Sequence, residues 1–241
     1  MAEAMSLLVW NCWGLGNQHT EDQLVDLVWA KDLSVVFIVK TWTNKARLGK
    51  VQRRIEFKNK FKVPQKNKAG GLVMCWKEYF DLTIETFSWN HIDMTINKNK
   101  EDEWRFIGFY GETDTQKRHK LWAHLRSLKN RGNALWLYAG DSNEITRQSE
   151  KCGGRVGPHS QMHPFWDILD ECGFMDMGFV GSQFTWHKHF VDYTVWERLD
   201  RAMATNDWFN LFPDTKIHHL DMTSSNHKPL LMVPDGMECI F

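Results

Sequence analysis

Six places in this 241-residue chain set a polar side chain at the end of an apolar run. They are Asn11 after LLVW, Lys40 after VVFIV, Tyr110 after WRFIGF, Asp141 and Asn143 in the Gly-Asp-Ser-Asn that follows LWLYA, Asp200 inside ERLDRAM, and Asn226-His227 before PLL. Polar residues directly after strand-like runs fall at sheet edges and loops, where a rigid scaffold presents them to solvent. A histidine asked to do phosphate chemistry usually sits beside a carboxylate; here the neighbour of His227 is Asn226. Each residue alone has an ordinary structural explanation, since an Asp after a strand is most often a turn former, and His227 and Tyr110 fit a capped strand end and a core aromatic. The ordered set of Asn, Lys, Tyr, Asp-x-Asn, Asp and His carries the weight.

The elements that must position these residues alternate short β-like runs with amphipathic stretches. LLVWN, then EDQLVDLVWAK, then VVFIVK read as a β-α-β opening. The middle is strand-rich, with residues 70–76, 81–89, 91–96 and 104–111 in quick succession. TDTQKRHKLWAHLRSLKN (113–130) puts Leu121, Trp122, Leu125 and Leu128 on one helical face behind the capping candidate Thr113, and a strand over 134–141 follows. A Gly-rich loop, KCGGRVG, leads to a helix over 164–173. The last 55 residues read as helix turns and two short strands. Antiparallel strands in the middle with helices flanking both halves imply two packed sheets covered by outer helices.

Length and composition place 1–241 in one domain with a real core, at 42% hydrophobic content. Thirty basic residues balance thirty acidic ones, so attraction to nucleic acid must come from a local patch. Five scattered cysteines without a C-x-x-C argue against a disulfide framework and a zinc site. No stretch approaches the roughly 20 apolar residues of a membrane span, and the start lacks the features of a signal peptide. These features lead us to expect an intracellular monomer, nuclear or cytoplasmic, with no membrane partner.

VWNCWGLGN, VVFIVKTW, LYAGDSNEI, SQFTWHK, WERLDRAMAT and SSNHKPLL, spread over nearly the whole chain, resemble the endonuclease/exonuclease/phosphatase superfamily. Within it they are most similar to the endonuclease domain of plant non-LTR (LINE-type) retrotransposons. The resemblance implies a deoxyribonuclease I-like α/β fold, a four-layer α/β/β/α sandwich of two mixed sheets. It also implies a DNA-cleaving phosphodiesterase dependent on Mg²⁺ or Mn²⁺, and leaves open a reverse transcriptase in a longer chain. By the resemblance, Asp141 activates the attacking water and Asn143 orients it. His227, held by Asp200, contacts the scissile phosphate, and Tyr110 donates to its developing charge.

The other half of the family's site binds the metal through the Asn of the first strand and a Glu ending the second, supported by an Asp before the final His. Here Asn11 is kept, but Lys40 stands at the Glu position and Asn226 at the Asp position. A carboxamide still offers Mg²⁺ an oxygen; an ammonium offers none and brings a charge of the same sign. Two readings therefore stand: a metal-dependent nuclease impaired at Lys40 and Asn226, and a repurposed domain of the same fold that binds nucleic acid or a small anion.

Residues 44–68 hold ten Lys/Arg (Lys45, Arg47, Lys50, Arg53, Arg54, Lys58, Lys60, Lys62, Lys66 and Lys68) against one acid, Glu56. Such an excess suits sequence-tolerant contacts to a DNA backbone, or a solvated helix face and loop. Among nearby aromatics, Trp42, Phe57 and Phe61 could stack on bases or belong to the core. His187 and His189 share one strand face; the motif match places them away from the site, on a solvated face. The loop 151–157 lacks the P-loop pattern and reads as a connection.

Overall fold

The runs Leu7–Asn11 (β1) and Val35–Val39 (β2) are apolar almost throughout and buried at every position, the pattern of strands covered on both faces. In the computed structural model, which describes residues 5–63, 71–129 and 135–233, they pair in parallel, with helix α1 (Gln18–Ala30) as the crossover. The basic segment forms helix α2 (Lys45–Arg54) and strand β3 (Asn59–Val63), which pairs with β4 (Leu72–Trp76); Lys66 and Lys68 lie outside the described residues. Strands β5 (Leu82–Ser88), β6 (His91–Ile96) and β7 (Trp104–Tyr110) form an antiparallel meander. Helix α3 (Arg118–Lys129) then returns the chain so that β8 (Trp136–Asp141) lies parallel to β7.

The last third contributes β9 (Lys151–Cys152), α4 (His159–Cys172), β10 (Phe174–Asp176), β11 (Val180–Gly181), β12 (Trp186–His189) and β13 (Thr194–Glu197). Strand β14 (Asp200–Thr205), helix α5 (Asn206–Leu211), β15 (Lys216–His219) and β16 (Leu230–Val233) follow. A seven-stranded sheet runs β11-β15-β16-β1-β2-β4-β3, a six-stranded sheet runs β10-β14-β8-β7-β6-β5, and β12-β13-β9 make a small third sheet.

The two large sheets face each other across one core in which Leu7, Val9 and Phe37 meet Met94, Phe106, Leu137 and Ala139. The outer face of the first sheet, with Trp10 and Ile38, is covered by Leu24 and Val28 of α1 and Leu48 and Val51 of α2. That of the second, with Phe109 and Tyr138, is covered by Leu121 and Leu125 of α3 and Phe165 and Ile168 of α4. This is the four-layer α/β/β/α sandwich expected. The sheets approach so closely at Gly108 that a Cβ there would stand 2.8 Å from the Phe37 ring.

The topology sends every candidate side chain to one edge. Parallel pairs place the C-terminal ends of β1 and β2, and of β7 and β8, together, carrying Asn11, Lys40, Tyr110 and Asp141. β14 and β16 run antiparallel to β8 and β1, so their N-terminal ends, with Asp200 and His227, arrive at the same edge.

Three expectations are corrected. Among the described residues, the last 55 hold five strands rather than two. The segment ERLDRAM escapes recognition because Arg198 and Arg201 interrupt its apolar pattern, yet both are buried, paired with Asp176 and Glu150. Helix α3 begins at Arg118, because Asp114, accepting from the Gln116 amide, holds residues 113–117 in a turn. Helix α4 starts at His159, a turn and more before Pro164. The extra turn buries Met162 against Ile145 and Leu199, and it places Pro164 inside the helix, where the Ser160 carbonyl has no N–H to accept from at that position.

Candidate active site

Asn11 bridges the two sheets. Its Nδ2 donates to Asp141 Oδ2 at 2.7 Å and lies 3.2 Å from His227 Nε2. On the other side of the imidazole, Nδ1 is 2.8 Å from Asp200 Oδ2. All four side chains are buried. The pattern is consistent when His227 carries its proton on Nδ1 and donates it to Asp200, leaving Nε2 to accept from Asn11. Turning the amide over would set Asn11 Oδ1 against the Asp141 carboxylate, so this network fixes its orientation. The loop before β16 is clamped in place: Ser225 Oγ donates to the Asn11 carbonyl at 2.7 Å, and Trp10 Nε1 donates to the His227 carbonyl at 3.2 Å.

Tyr110 and Asn143 close the same edge. The Asn143 amide N–H donates to Asp141 Oδ1 at 2.8 Å and its Nδ2 to the Gly111 carbonyl at 2.9 Å. This holds Asn143 at φ 51°, in the left-handed region that asparagine tolerates best after glycine. Gly111 has to be glycine, because a Cβ would stand 2.0 Å from the Ser142 carbonyl oxygen. Burial raises the Tyr110 pKa, Asp141 beside it raises it further, and Asn143 partly offsets both. The phenol therefore stays protonated at neutral pH and serves as a donor. Burial also raises the Asp200 carboxyl, and His227 draws it part of the way back.

Lys40 occupies the edge between the halves. Its ammonium stands 5.1 Å from the centroid of the Trp13 ring and 5.3 Å from that of Tyr110, within cation–π range of both. Trp42 packs edge-on against Trp13, with centroids 6.0 Å apart. Trp13, Lys40 and Trp42 all have positive φ, at 46°, 53° and 38°. For non-glycine residues each costs on the order of 1–2 kcal/mol, and such strain clusters at functional sites.

The donors do not suit a Mg²⁺ site. Asn11 Oδ1 and Asn226 Oδ1 are buried without hydrogen-bond partners, which gives two neutral oxygens. Asp141 accepts from Asn11 and Asn143, Asp200 is held by His227, and the remaining position is an ammonium. A hard divalent ion asks for anionic oxygens in near-octahedral array. Asp141, Asp200 and His227 do offer ligand atoms within 4.8 Å of one another, but each of those groups already holds another in this network.

The segment containing His187 is not remote, as the motif match implied. Trp186 forms an isolated antiparallel bridge with His227, the His187 N–H donates to the Asn226 carbonyl, and Asn226 Nδ2 donates back to the His187 carbonyl at 3.1 Å. His187 thus lines, with Trp13, Met222, Ser225 and Asn226, an open cleft of about 640 Å³ beside the network. The strand that carries both histidines is only four residues long, too short for its sequence to show which edge it joins. His187 and His189 do share a face, with ring centroids 5.0 Å apart.

The basic segment is less positive than its composition. Arg47 pairs with Glu21, a fully buried acid of α1, with Lys50 and Arg54 at 3.8 and 3.6 Å from the same carboxylate. Arg54 also pairs with Asp22 at 2.7 Å and Lys58 with Glu78 at 2.6 Å. Among the described residues, Lys45, Arg53 and Lys60 are exposed and enter no ion pair. Phe57 is buried and Phe61 packs on the core, whereas Trp42 is 37% exposed and Trp13 45%.

Solved structures share this architecture over nearly its full length. The endonuclease domain of TRAS1, a telomere-specific non-LTR retrotransposon, superimposes with a TM-score of 0.72 at 14% identity, covering 97% of this chain and 100% of that one. The chain has the endonuclease/exonuclease/phosphatase fold. A 3′ phosphatase, NExo from Neisseria, bound to product DNA hairpin, gives 0.74 at 14% identity over 96% of this chain and 100% of that one. An AP endonuclease from Archaeoglobus fulgidus gives 0.73 at 14% identity over 96% and 99%. No family model and no curated protein matches the sequence.

Proposed function

We propose that this domain is a phosphodiesterase directed at the DNA backbone, of the retrotransposon-endonuclease type, with an assembled acid–base half and a metal half weakened by Lys40 and Asn226. The observation that supports it is the buried network Asp200–His227–Asn11–Asp141, which joins the two sheets at the edge where a cleft opens. An imidazole fixed by one carboxylate beside a second carboxylate and a protonated phenol is the equipment of hydrolysis. In this reading Asp141 takes a proton from a water oriented by Asn143 as that water's oxygen bonds to phosphorus and the bond to the leaving sugar oxygen breaks, that oxygen taking its proton from solvent. Tyr110 donates to the phosphoryl oxygens as charge develops on them, and His227, oriented by Asp200, contacts the scissile phosphate.

Lys40 favours a second reading, an anion-binding domain without turnover, because its ammonium is fixed at the site by Trp13 and Tyr110 and can meet a phosphate as a point charge. Nicking of supercoiled plasmid in Mg²⁺ or Mn²⁺, with His227→Ala as control for contaminating nuclease, separates them. Slow nicking that disappears in His227→Ala is the expected result. Plasmid binding with no nicking in either metal overturns the hydrolase and leaves the binding domain.

A further inference from the structure

The cleft beside the network is walled by features that hydrolysis of a backbone phosphate does not use. Trp13 is large, apolar and 45% exposed, yet it is not mobile decoration. Its backbone is held in the left-handed region, its ring is buttressed edge-on by Trp42, and the ring of Trp42 is pressed in turn from Gly14, where a Cβ would stand only 3.2 Å away. The His187 ring lines the same cleft and is steadied by Trp196, with centroids 4.8 Å apart. Two rigid aromatic surfaces in one open cleft offer a flat π-system somewhere to lie at little entropic cost. The Lys40 ammonium stands over the Trp13 ring, 5.1 Å from its centroid, so a fixed positive charge lies against one face of that surface.

A flat ring and an anion side by side are the two parts of a nucleotide. We propose that Trp13, His187 and Lys40 form a subsite for one unstacked nucleotide of a single-stranded nucleic acid, its base on Trp13 in the cleft and its phosphate against Lys40, with no divalent ion required. The inference rests on the site being a phosphodiester site and adds the substrate class. A base inside a duplex has both faces occupied by its neighbours, whereas an unpaired base can exchange them for an aromatic side chain. It also gives the mismatch between donors and Mg²⁺ a consequence: the cation has been supplied by the chain itself.

Binding of a fluorescein-labelled oligothymidylate, measured by anisotropy in EDTA, tests this against a strand of equal length whose bases are replaced by abasic sugars, and against a duplex. The oligothymidylate is expected to bind roughly 5- to 150-fold more tightly than the abasic strand, the range of one base–aromatic stack. Trp13→Ala should bring the two strands to parity and Trp13→Phe should restore part of the preference; the exposure of Trp13 makes both variants foldable. Lys40→Met should weaken both strands alike and leave their ratio. Equal binding of the two strands by the wild type, preference for the duplex, a ratio untouched by Trp13→Ala, or binding only with Mg²⁺ each overturns the subsite. Oligothymidylate binding without plasmid nicking sinks the hydrolase alone, and metal-dependent nicking without oligothymidylate binding in EDTA sinks the subsite alone.

Discussion

Asp141 and Asp200 are register partners on adjacent antiparallel strands, and both carboxylates are buried. Like charges placed directly opposite destabilise a sheet, and burial adds to the cost. His227 lies between them, 2.8 Å from Asp200 and 3.8 Å from Asp141, and Asn11 donates to the side the imidazole leaves open. Stability and catalysis therefore make opposite demands on Asp200. Asp200→Asn keeps an acceptor for the His227 Nδ1–H and removes one of two facing charges, so its stability should stay within about 1 kcal/mol of wild type. Asp200→Ala orphans a buried N–H and should cost about 1–3 kcal/mol. Both should lower nicking by roughly 10²-fold or more. Urea denaturation and plasmid nicking on the same preparations check the split, and equal losses of stability in the two variants would falsify it.

The basic segment divides into cations that hold the fold and cations that meet solvent. Replacing Lys45, Arg53 and Lys60 together by Glu should leave stability near wild type. It should also flatten the dependence of log K on log salt for DNA binding by about 0.7–0.9 for each phosphate no longer neutralised. Arg47→Ala and Arg54→Ala should instead destabilise the protein, because the buried Glu21 loses its partners. Titrations at several salt concentrations and thermal melts decide it. An unchanged slope in the triple variant would remove this surface from any role in DNA binding.

His219 sets a pH dependence of stability. It is buried, stacked on Phe179 at 4.5 Å, with Nδ1 donating to the Ser182 carbonyl. Burial lowers its pKa to about 4; the Ser182 hydrogen bond opposes this, and Arg198 and Lys228 lower it further. The folded state thus holds the ring neutral while the unfolded chain protonates it near 6.5. Its contribution is complete above the unfolded value and is lost as pH falls toward 4, by roughly 3 kcal/mol in total. His187 and His218, both shifted downward chiefly by burial, act in the same direction. His219→Gln should remove most of the slope between these pH values in chemical denaturation, and an undiminished slope would assign it elsewhere.

The layers and the edge that carries the site were legible because β1, β2 and β8 are apolar runs ending in a polar residue, as is β7 apart from Arg105, and parallel pairing brings such ends together. Part of what stayed hidden has a common physical cause: a charge on one element neutralised by a distant one. Glu21 hides the structural role of Arg47 and Arg54, and Glu150 hides β14 behind Arg201. The placement of His187 depends on a single bridge between Trp186 and His227, for which no local pattern exists. Asn11 was legible as a ligand position but not as the donor that joins the carboxylate to the imidazole.

Lys40 and Asn226 should respond differently when the metal half is rebuilt. A ligand stabilises the folded state by RT ln(1 + [L]/Kd), so a site that does not hold Mg²⁺ shows no rise in melting temperature with the ion. Lys40→Glu removes a repelling cation and supplies an anionic oxygen at the same sheet edge as Asn11, whose Oδ1 lacks a partner. Asn226→Asp strengthens one oxygen but replaces the Nδ2 that donates to the His187 carbonyl at 3.1 Å, setting two oxygens against each other. In EDTA, Asn226→Asp should therefore melt below wild type, by about 1–3 kcal/mol of lost stability. In Mg²⁺, Lys40→Glu should gain more than Asn226→Asp, and the double variant should gain more than the two added together, since residues around one ion couple. Melting temperature against Mg²⁺ concentration for the four proteins, with nicking in parallel, is the measurement. Robust Mg²⁺-dependent nicking by the wild type that is lost on Lys40→Glu would make Lys40 a working part of metal-dependent cleavage and refute the weakened metal half.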